Sequence, residues 1–371
     1  MIFFEFQIFL YFCGEYSNTT VKKHNTNIGS SEAQKKLGQT DELYQANSVA
    51  YIEADLKINH LRILMAIILH LQGAIRFKVS RPVGRKGIPE VFLPPSGQDT
   101  RLGRVRILEI PVSDFHMGST NGARLRTCLD ELTRTRIVFP TVNAYLLDTF
   151  PGLIAGYSFT PYGKSIMIHI LEPMINRLLL TEEGYSHYSH SKALSITNKY
   201  TVRLYWLICS WRNRGGFRIS ISALKKLLQL SPGYDKYSNL VARVLTPSRD
   251  ELRSRFPIWF LYRDYYGEDG IRRLAFKIKL VLPAEEEKRL KKDANDFFFK
   301  VLTQSGIRPD SLWDILSTVE TEDLKPLSRK IVEILGFMKE HKEIQHPEQY
   351  LRGAIRAWLE NWAVRYQDIS D

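Results

Sequence analysis

The chain has 371 residues, 44% of them hydrophobic, which suits a globular protein of two or three domains. A formal net charge of +12 favours a polyanionic partner, either a nucleic acid or an anionic membrane surface. The three cysteines, Cys13, Cys128 and Cys209, are far apart and form no CxxC or Cys/His cluster, which indicates reduced thiols and excludes a zinc motif.

The first 13 residues, Met1–Cys13, are almost wholly apolar. They are too few to span a membrane, which takes about 20 apolar residues, and they lack the basic start and the small-residue cleavage site of a signal peptide. Residues 17–40 are polar and predicted to be disordered. We therefore predict that residues 1–40 belong to no domain, that the true start codon lies downstream of Met1, and that folding begins near Asp41.

Residues 41–180 are predicted to form the first domain. Its predicted elements are a helix at Lys57–Leu71, a strand at Arg104–Ile110, a helix that Asn121 caps, and strands at Ile137–Phe139, Ile154–Thr160 and Ser165–Leu171. Arg124 and Arg126 flank the core face of the second helix. With 16 basic and 12 acidic residues, the domain has a net charge of +4, which suits a surface shared between a nucleic acid and a protein.

Residues 181–198 are predicted to be a linker, or else the start of the second domain. They include Tyr185-Ser-His-Tyr-Ser-His190, in which two histidines are three residues apart. Such a pair can bind a metal ion on a helix, but no third ligand lies nearby in the sequence. We therefore predict no metal site and no cofactor.

Residues 199–282 are predicted to form the second domain. Its predicted elements are a helix at Lys199–Arg212, a strand at Phe217–Ser220, a helix capped by Ser220 or Ser222, a turn at Ser231–Gly233, a helix at Lys236–Leu245, and strands at Ile258–Tyr265 and Ile271–Val281. This order is that of a winged helix, in which the third helix enters the major groove of DNA and the hairpin flanks it. The first domain repeats the order, so the predicted fold is α+β, with tandem winged-helix domains and a helical C-terminal extension.

The third helix of this domain has two distinct faces. Its apolar residues, which predict the core face, are Tyr237, Leu240, Val241, Val244 and Leu245. The opposite face carries short polar groups and a guanidinium, which can bind base edges or phosphates, and a methyl group that can meet thymine. Pro247 is placed to begin a continuing helix, and two arginines follow the hairpin turn. The candidate DNA contacts here are Lys236, Ser238, Asn239, Ala242, Arg243, Thr246, Arg249, Arg253, Arg272 and Arg273.

Charge separates the second domain from the rest of the chain. Lys199–Leu280 holds 17 Lys and Arg against 6 Asp and Glu, a net charge of +11, whereas an ordinary solvated surface mixes both signs. Residues 284–371 hold 14 basic and 17 acidic residues, a net charge of −3. We therefore predict that residues 283–371 form a helical domain that docks on a protein, either a separate protein or the chain's own core, and the first of these is favoured.

Three motifs occur in order in the second domain. They are Lys199-Tyr-Thr-Val-Arg-Leu-Tyr-Trp, Ile219-Ser-Ile-Ser-Ala-Leu-Lys-Lys-Leu-Leu, and Tyr234–Leu245 followed by Arg249-Asp-Glu-Leu. With them, the region from Asp41 to Leu282 resembles the initiator replication proteins of theta-replicating bacterial plasmids, which bind repeated sites (iterons) at the plasmid origin. The resemblance implies a cytoplasmic bacterial protein that binds double-stranded origin DNA, opens an adjacent A·T-rich segment, and recruits the host initiator and helicase. It also implies a homodimer in a repressor form.

Two rival functions stay open. The first is a chromosomal transcriptional regulator with the same fold, and the second is a nicking initiator that uses a tyrosine nucleophile. The chain has no GxxxxGK[ST] phosphate loop, no pair of histidines around one hydrophobic residue, and no cluster of carboxylates in its basic domains. We therefore predict that the protein is not an enzyme.

Overall fold

The structure is a computed structural model that describes residues 41–72, 75–78, 88–91, 98–100, 103–117, 122–140, 149–179, 184–341, 343–362, 366 and 368–369. The predictions for residues 1–40 and for the Asn121 cap lie outside these residues. The described part of the chain combines helices with small antiparallel sheets, which confirms the α+β class. It divides into two compact units, residues 1–206 and 207–371.

Unit 1 begins with strands and a central helix. Its elements are β1 (Glu42–Ala46), α1 (Ile58–Leu71), β2 (Ile75–Lys78), β3 (Ile88–Val91), β4 (Gln98–Thr100), β5 (Gly103–Pro111), α2 (Gly122–Leu132), β6 (Ile137–Val138), β7 (Thr149–Phe150), β8 (Gly156–Phe159), β9 (Ser165–Leu171), α3 (Glu172–Leu179), β10 (Tyr185–Ser189) and α4 (His190–Leu194). Helix α1 is apolar on nearly every side and is the buried centre of the unit. This confirms the predicted helix at Lys57–Leu71.

The largest sheet of unit 1 is antiparallel, with strand order β4-β5-β9-β8. Strand β9 alternates buried and half-buried residues, and Ile166, Ile168 and Ile170 point into the core. Strands β8 and β9 form the hairpin that Ile154–Thr160 and Ser165–Leu171 predict.

Part of the predicted linker is folded within unit 1. Strand β10 pairs with β1 in the register Tyr44↔His187, and Ser186 and Tyr188 lie buried between half-buried neighbours. The alternation has the period of a strand, but its buried members are a serine and a tyrosine, so no apolar run marks it in the sequence.

Unit 2 contains most of the second predicted domain and the C-terminal helices. After α5 (Lys199–Ser210), whose last four residues belong to unit 2, come β11 (Gly216–Ser220), α6 (Ile221–Leu228), α7 (Tyr237–Leu240), a π-helical turn (Val241–Leu245), α8 (Thr246–Arg255), β12 (Ile258–Tyr266), β13 (Arg272–Leu280), α9 (Ala284–Gln304), α10 (Trp313–Leu316), α11 (Thr321–Glu340) and α12 (Pro347–Glu360). Ser220 caps α6, as predicted, because its Oγ accepts a hydrogen bond from the Ala223 N–H at 3.0 Å.

The three strands of unit 2 form one antiparallel sheet with the order β11-β13-β12. Phe217 and Phe276 stack at 4.7 Å between ring centroids, and Phe260 lies 5.2 Å from Phe276. These rings lie on the core side of the sheet, together with the buried Leu274 and Ile278.

Segments α7, the π turn and α8 form one continuous helix, hereafter the 237–255 helix. It contains Pro247, which has no N–H to donate and whose ring conflicts with the carbonyl four residues earlier. The widened π turn lies directly before this proline. The predicted core face is confirmed, since Leu240, Val244 and Leu245 are buried and Tyr237 is half-buried.

The C-terminal helices bury their own apolar residues, among them Phe298, Leu302, Leu327, Ile331 and Ile355. They therefore form a packed helical layer within unit 2. Among the described residues, no helix is both long enough and apolar enough to cross a membrane.

Candidate nucleic-acid interface

The outer side of the 237–255 helix carries the predicted contact residues. Lys236, Ser238, Ala242, Arg243 and Arg253 are exposed. The half-buried residues are Asn239, Thr246 and Arg249. The helical period therefore turns the predicted face outward, away from the apolar face.

Lys236 and Arg243 are the least constrained cations on this face. Among the described residues, no carboxylate forms an ion pair with either of them and no ring lies beneath them. Their charges are therefore open to an anion from outside the chain.

Two of the residues predicted to contact DNA also form hydrogen bonds within the domain. The Asn239 amide donates a hydrogen bond from Nδ2 to the Gly233 carbonyl at 2.9 Å, which ties the helix to the preceding turn. The Thr246 hydroxyl lies 3.0 Å from the Tyr262 hydroxyl, which ties the helix to β12. These side chains consequently have a structural role whatever the helix binds.

Arg249 and Arg253 are each oriented by a neighbour. Arg249 Nε donates to Asp250 Oδ1 at 2.9 Å, and this hydrogen bond raises the pKa of Arg249. The Arg253 guanidinium lies 5.0 Å from the centre of the Trp259 ring, an arrangement that leaves its N–H groups available to an anion. Arg253 is therefore the stronger candidate for a phosphate contact.

Arg272 joins the hairpin to the start of the 237–255 helix. Its Nη2 lies 2.6 Å from Asp264 Oδ2, and its guanidinium lies 3.7 Å from the centre of the Tyr237 ring. The hydrogen bond from Arg272 lowers the pKa of Asp264. Arg272 thus lies on the side of the sheet that faces the helix, where it is paired with Asp264.

Arg273 points the other way, because successive side chains of a strand alternate between faces. Both of its Nη atoms bind Asp269, at 2.6 and 2.5 Å, and Nε lies 4.0 Å from Asp368. The Asp269 pKa is held well below its usual range by the Arg273 hydrogen bonds. The two arginines predicted to act together therefore lie on opposite faces of β13.

The face of β13 that carries Arg273, hereafter the back face, bears a row of cations. They are Arg218 of β11, Arg263 of β12, and Arg273, Lys277 and Lys279 of β13. Lys277 Nζ lies 2.7 Å from Asp323 and 2.5 Å from Glu320, and Lys279 Nζ lies 2.6 Å from Glu320 and also pairs with Glu322. The carboxylates at the start of α11 thus neutralise Lys277 and Lys279.

Burial disfavours the ionised forms of Lys277 and Glu320, but their oppositely charged partners stabilise these forms more strongly. Burial disfavours the Lys277 ammonium, yet the Asp323 and Glu320 carboxylates raise the pKa of Lys277. Burial also disfavours the Glu320 carboxylate, yet hydrogen bonds from Lys277 and Lys279 lower the pKa of Glu320 to about 2. Both groups are therefore charged near neutral pH.

The end of the chain also contacts the back face. Arg218 Nη2 lies 2.6 Å from Asp368 Oδ2, and the Ile369 N–H donates to the Arg218 carbonyl at 2.7 Å. The buried Tyr366 lies so close to Gly216 that a Cβ there would stand 2.7 Å from its ring. Docking on the chain's own core is the less favoured of the two predictions for residues 283–371, and the residues of this contact are not among the predicted ones, although the acidic run Glu320-Thr-Glu-Asp323 and the spacing Lys277-Ile-Lys279 carry its charge pattern.

In unit 1, Arg124 and Arg126 are exposed on α2, as predicted. The Arg126 guanidinium lies 4.0 Å from the centre of the Phe159 ring, which places α2 against the β8–β9 hairpin. His187 stacks on Tyr44 at 5.8 Å, while His190 lies 6.2 Å from His116. Over the residues that the structure describes, no group of three or more His, Cys, Asp or Glu side chains is placed to hold a metal ion.

No family model matches the chain. The resemblance to plasmid initiators therefore rests on the sequence motifs between Lys199 and Leu252 alone.

Proposed function

We propose that unit 2 binds double-stranded DNA as a winged helix, with the outer side of the 237–255 helix in the major groove. The order of elements supports this proposal, since α5, β11, α6, the 237–255 helix and the β12–β13 hairpin follow one another as in that fold. The three-stranded sheet behind the helix supports it as well.

One observation carries the proposal. The 237–255 helix exposes Lys236, Arg243 and Arg253, and the first two have no carboxylate partner among the described residues. Unpaired cations beside short polar side chains can bind both phosphates and base edges. The start of α11 and the end of the chain contact the opposite face of the sheet, away from this helix.

In the biological role we propose, the protein is a plasmid replication initiator. Several copies fill repeated sites at the origin, the strain of binding opens adjacent A·T-rich DNA, and host initiator and helicase are recruited. Unit 1 acts as a second winged helix, with Arg124 and Arg126 on phosphates, and pairs with a second copy in a repressor form. The order of the motifs from Lys199 to Leu252 supports this role, and it requires no enzymatic step or cofactor.

A transcriptional regulator remains the second candidate, because the same helix face suits it equally. The arrangement of binding sites separates the two, since tandem direct repeats fit an initiator and a single inverted repeat fits a regulator. A nicking initiator would instead leave a covalent protein–DNA product on supercoiled DNA with Mg²⁺, and we expect none.

The test is a footprint on the DNA that flanks the gene, at a stated salt concentration. We expect protection of several directly repeated sites by the parent protein, and loss of that protection for a Lys236→Ala, Arg243→Ala double variant. Arg308→Ala is the matched control, because Arg308 is an exposed cation of the C-terminal helices that pairs with Glu348 at 3.3 Å. Equal footprints for parent and double variant would overturn the assignment of the helix.

A further inference from the structure

The tip of the β8–β9 hairpin holds a tyrosine in an unfavourable backbone conformation. The turn Thr160-Pro-Tyr-Gly163 is closed by a hydrogen bond from the Gly163 N–H to the Thr160 carbonyl at 2.9 Å. Tyr162 has φ +73° and ψ −1°, which are the angles of the third residue of a type II turn. Glycine or asparagine is preferred there, because a Cβ in the left-handed region is strained. Glycine occupies the next position instead.

Nothing inside the protein explains an aromatic side chain at this position. Tyr162 is 96% exposed, and it makes no hydrogen bond, ion pair or ring contact with the described residues. Residues held in sparsely populated backbone regions are concentrated at binding sites, where the strain places a side chain for a ligand. The strain at Tyr162 therefore indicates that its ring binds a partner outside the chain.

The turn presents the ring on a firm support. The Thr160 N–H donates to the Ser165 carbonyl at 3.0 Å, and the Ser165 N–H donates back to Thr160 Oγ1 at 3.1 Å. Pro161 fixes one further backbone angle of the turn. The backbone of the turn is therefore already ordered, so only the side-chain rotamers of Tyr162 lose freedom when the ring binds.

The surroundings of the ring favour an anionic ligand with planar groups. Lys164 is exposed two residues further on, and Arg126 packs against Phe159 of the same hairpin. The nearby Asp130 carboxylate accepts a hydrogen bond from the Tyr157 hydroxyl at 2.8 Å. A protruding ring on a hairpin that also carries the exposed Lys164 and contacts Arg126 can bind single-stranded nucleic acid through base stacking and phosphate contacts.

We infer that Tyr162 stacks on an unpaired base of DNA. Bases within a duplex have both faces covered, so a ring at a hairpin tip can reach a base face only where the duplex is open. The inference rests on the proposed function, because the unpaired base would come from the DNA strand that is opened beside the repeated sites. It assigns to unit 1 a contact that differs in kind from the duplex contact of the 237–255 helix.

The test measures binding of the full chain to fluorescein-labelled oligo(dT)20. We expect Tyr162→Ala to weaken this binding about fivefold or more, as for the loss of one base–aromatic stack. Tyr162→Phe should bind as the parent does, because stacking needs the ring and not the hydroxyl. Tyr350→Ala is the matched control, since Tyr350 is an aromatic residue of the C-terminal helices that is 41% exposed.

A second measurement tests the strain itself. Tyr162→Gly should have a higher Tm than Tyr162→Ala, because a φ of +73° strains alanine but not glycine. Both variants lack the ring, so both should bind oligo(dT) more weakly than the parent and to the same extent. A lower Tm for Tyr162→Gly than for Tyr162→Ala would show that the backbone at this position is not strained, and it would overturn the inference.

The remaining outcomes separate this inference from the proposed function. If the parent protects no duplex repeats but Tyr162→Ala still impairs oligo(dT) binding, the proposed function fails and the inference stands. If the repeats are protected but Tyr162→Ala binds oligo(dT) as the parent does, the inference is wrong. It is also wrong if Tyr162→Ala changes only the monomer–dimer balance in sedimentation, because the ring then serves a protein contact.

Discussion

Arg272 and Arg273 are neighbours in the sequence and have opposite surroundings. Arg272 pairs with Asp264 and lies over the Tyr237 ring at the start of the 237–255 helix, whereas Arg273 pairs with Asp269 beside the C-terminal residues. Lys277 and Lys279, on the same back face as Arg273, are also neutralised, by the start of α11. A net charge of +11 over Lys199–Leu280 therefore overstates the surface available to DNA. The surface that can bind DNA is therefore defined by the position of each cation and not by the net charge of the domain.

The largest expected effect concerns stability at the back face. Lys277→Met should lower the free energy of unfolding by about 3 kcal/mol, since it leaves the buried Asp323 carboxylate without its cation. Urea denaturation measures the change. Below the unfolding transition, duplex binding should stay near the parent value, because the front of the sheet is untouched.

Lys330→Met is the control for this variant, since Lys330 forms a surface pair with Glu333 at 2.6 Å and should cost little. A Lys277→Met, Asp323→Leu double variant should recover part of the lost stability, because no unpaired charge is left in the contact. A stable Lys277→Met protein would contradict the view that the C-terminal helices are anchored by this pair.

The next effect is on specific DNA binding. Arg243→Ala should weaken binding to the protected repeat by roughly 1–3 kcal/mol and leave the free energy of unfolding unchanged, because Arg243 has no partner among the described residues. Asn239→Ala should weaken binding and also lower stability by roughly 1 kcal/mol, because it removes the hydrogen bond to the Gly233 carbonyl. Gel-shift titrations and thermal melts on the same samples separate the two effects. Parent-like binding by both variants would show that another element reads the site.

A smaller effect should distinguish the two neighbouring arginines. Arg272→Ala should reduce the slope of log affinity against log salt by roughly 1, as expected for the loss of one phosphate contact. Arg273→Ala should leave the slope unchanged, because its guanidinium lies on the back face of the sheet, which points away from the 237–255 helix. Equal losses for both variants would mean that DNA reaches both faces of the hairpin.

The exposed face of the 237–255 helix could be predicted because it follows from local periodicity. Once Leu240 and Val244 are assigned to the core, the positions of Asn239 and Arg243 are fixed by the helical repeat. The partners of the back face could not be predicted in this way, since Lys277 and Asp323 are 46 residues apart and only tertiary packing brings them together. The strand Tyr185–Ser189 escaped prediction for a related reason, because its buried residues are polar or aromatic and its pairing partner β1 lies far away in the sequence.

The smallest expected effect is a dependence of stability on acid pH. The folded-state pKa of Glu320 is about 2, below its ordinary value of 4.5, because Lys277 and Lys279 bind the carboxylate. A lowered pKa stabilises the fold above about pH 4.5, and this contribution is lost as the pH falls toward 2. Because half of the Glu320 side chain is exposed, solvent screening reduces the contribution to about 1 kcal/mol or less. Glu320→Gln should therefore lose less stability than the parent between pH 6 and pH 3 in urea titrations, while Glu333→Gln should follow the parent. If parent and Glu320→Gln lose stability in parallel, Glu320 does not couple the C-terminal helices to the sheet, and Asp323 alone accounts for the contact with Lys277.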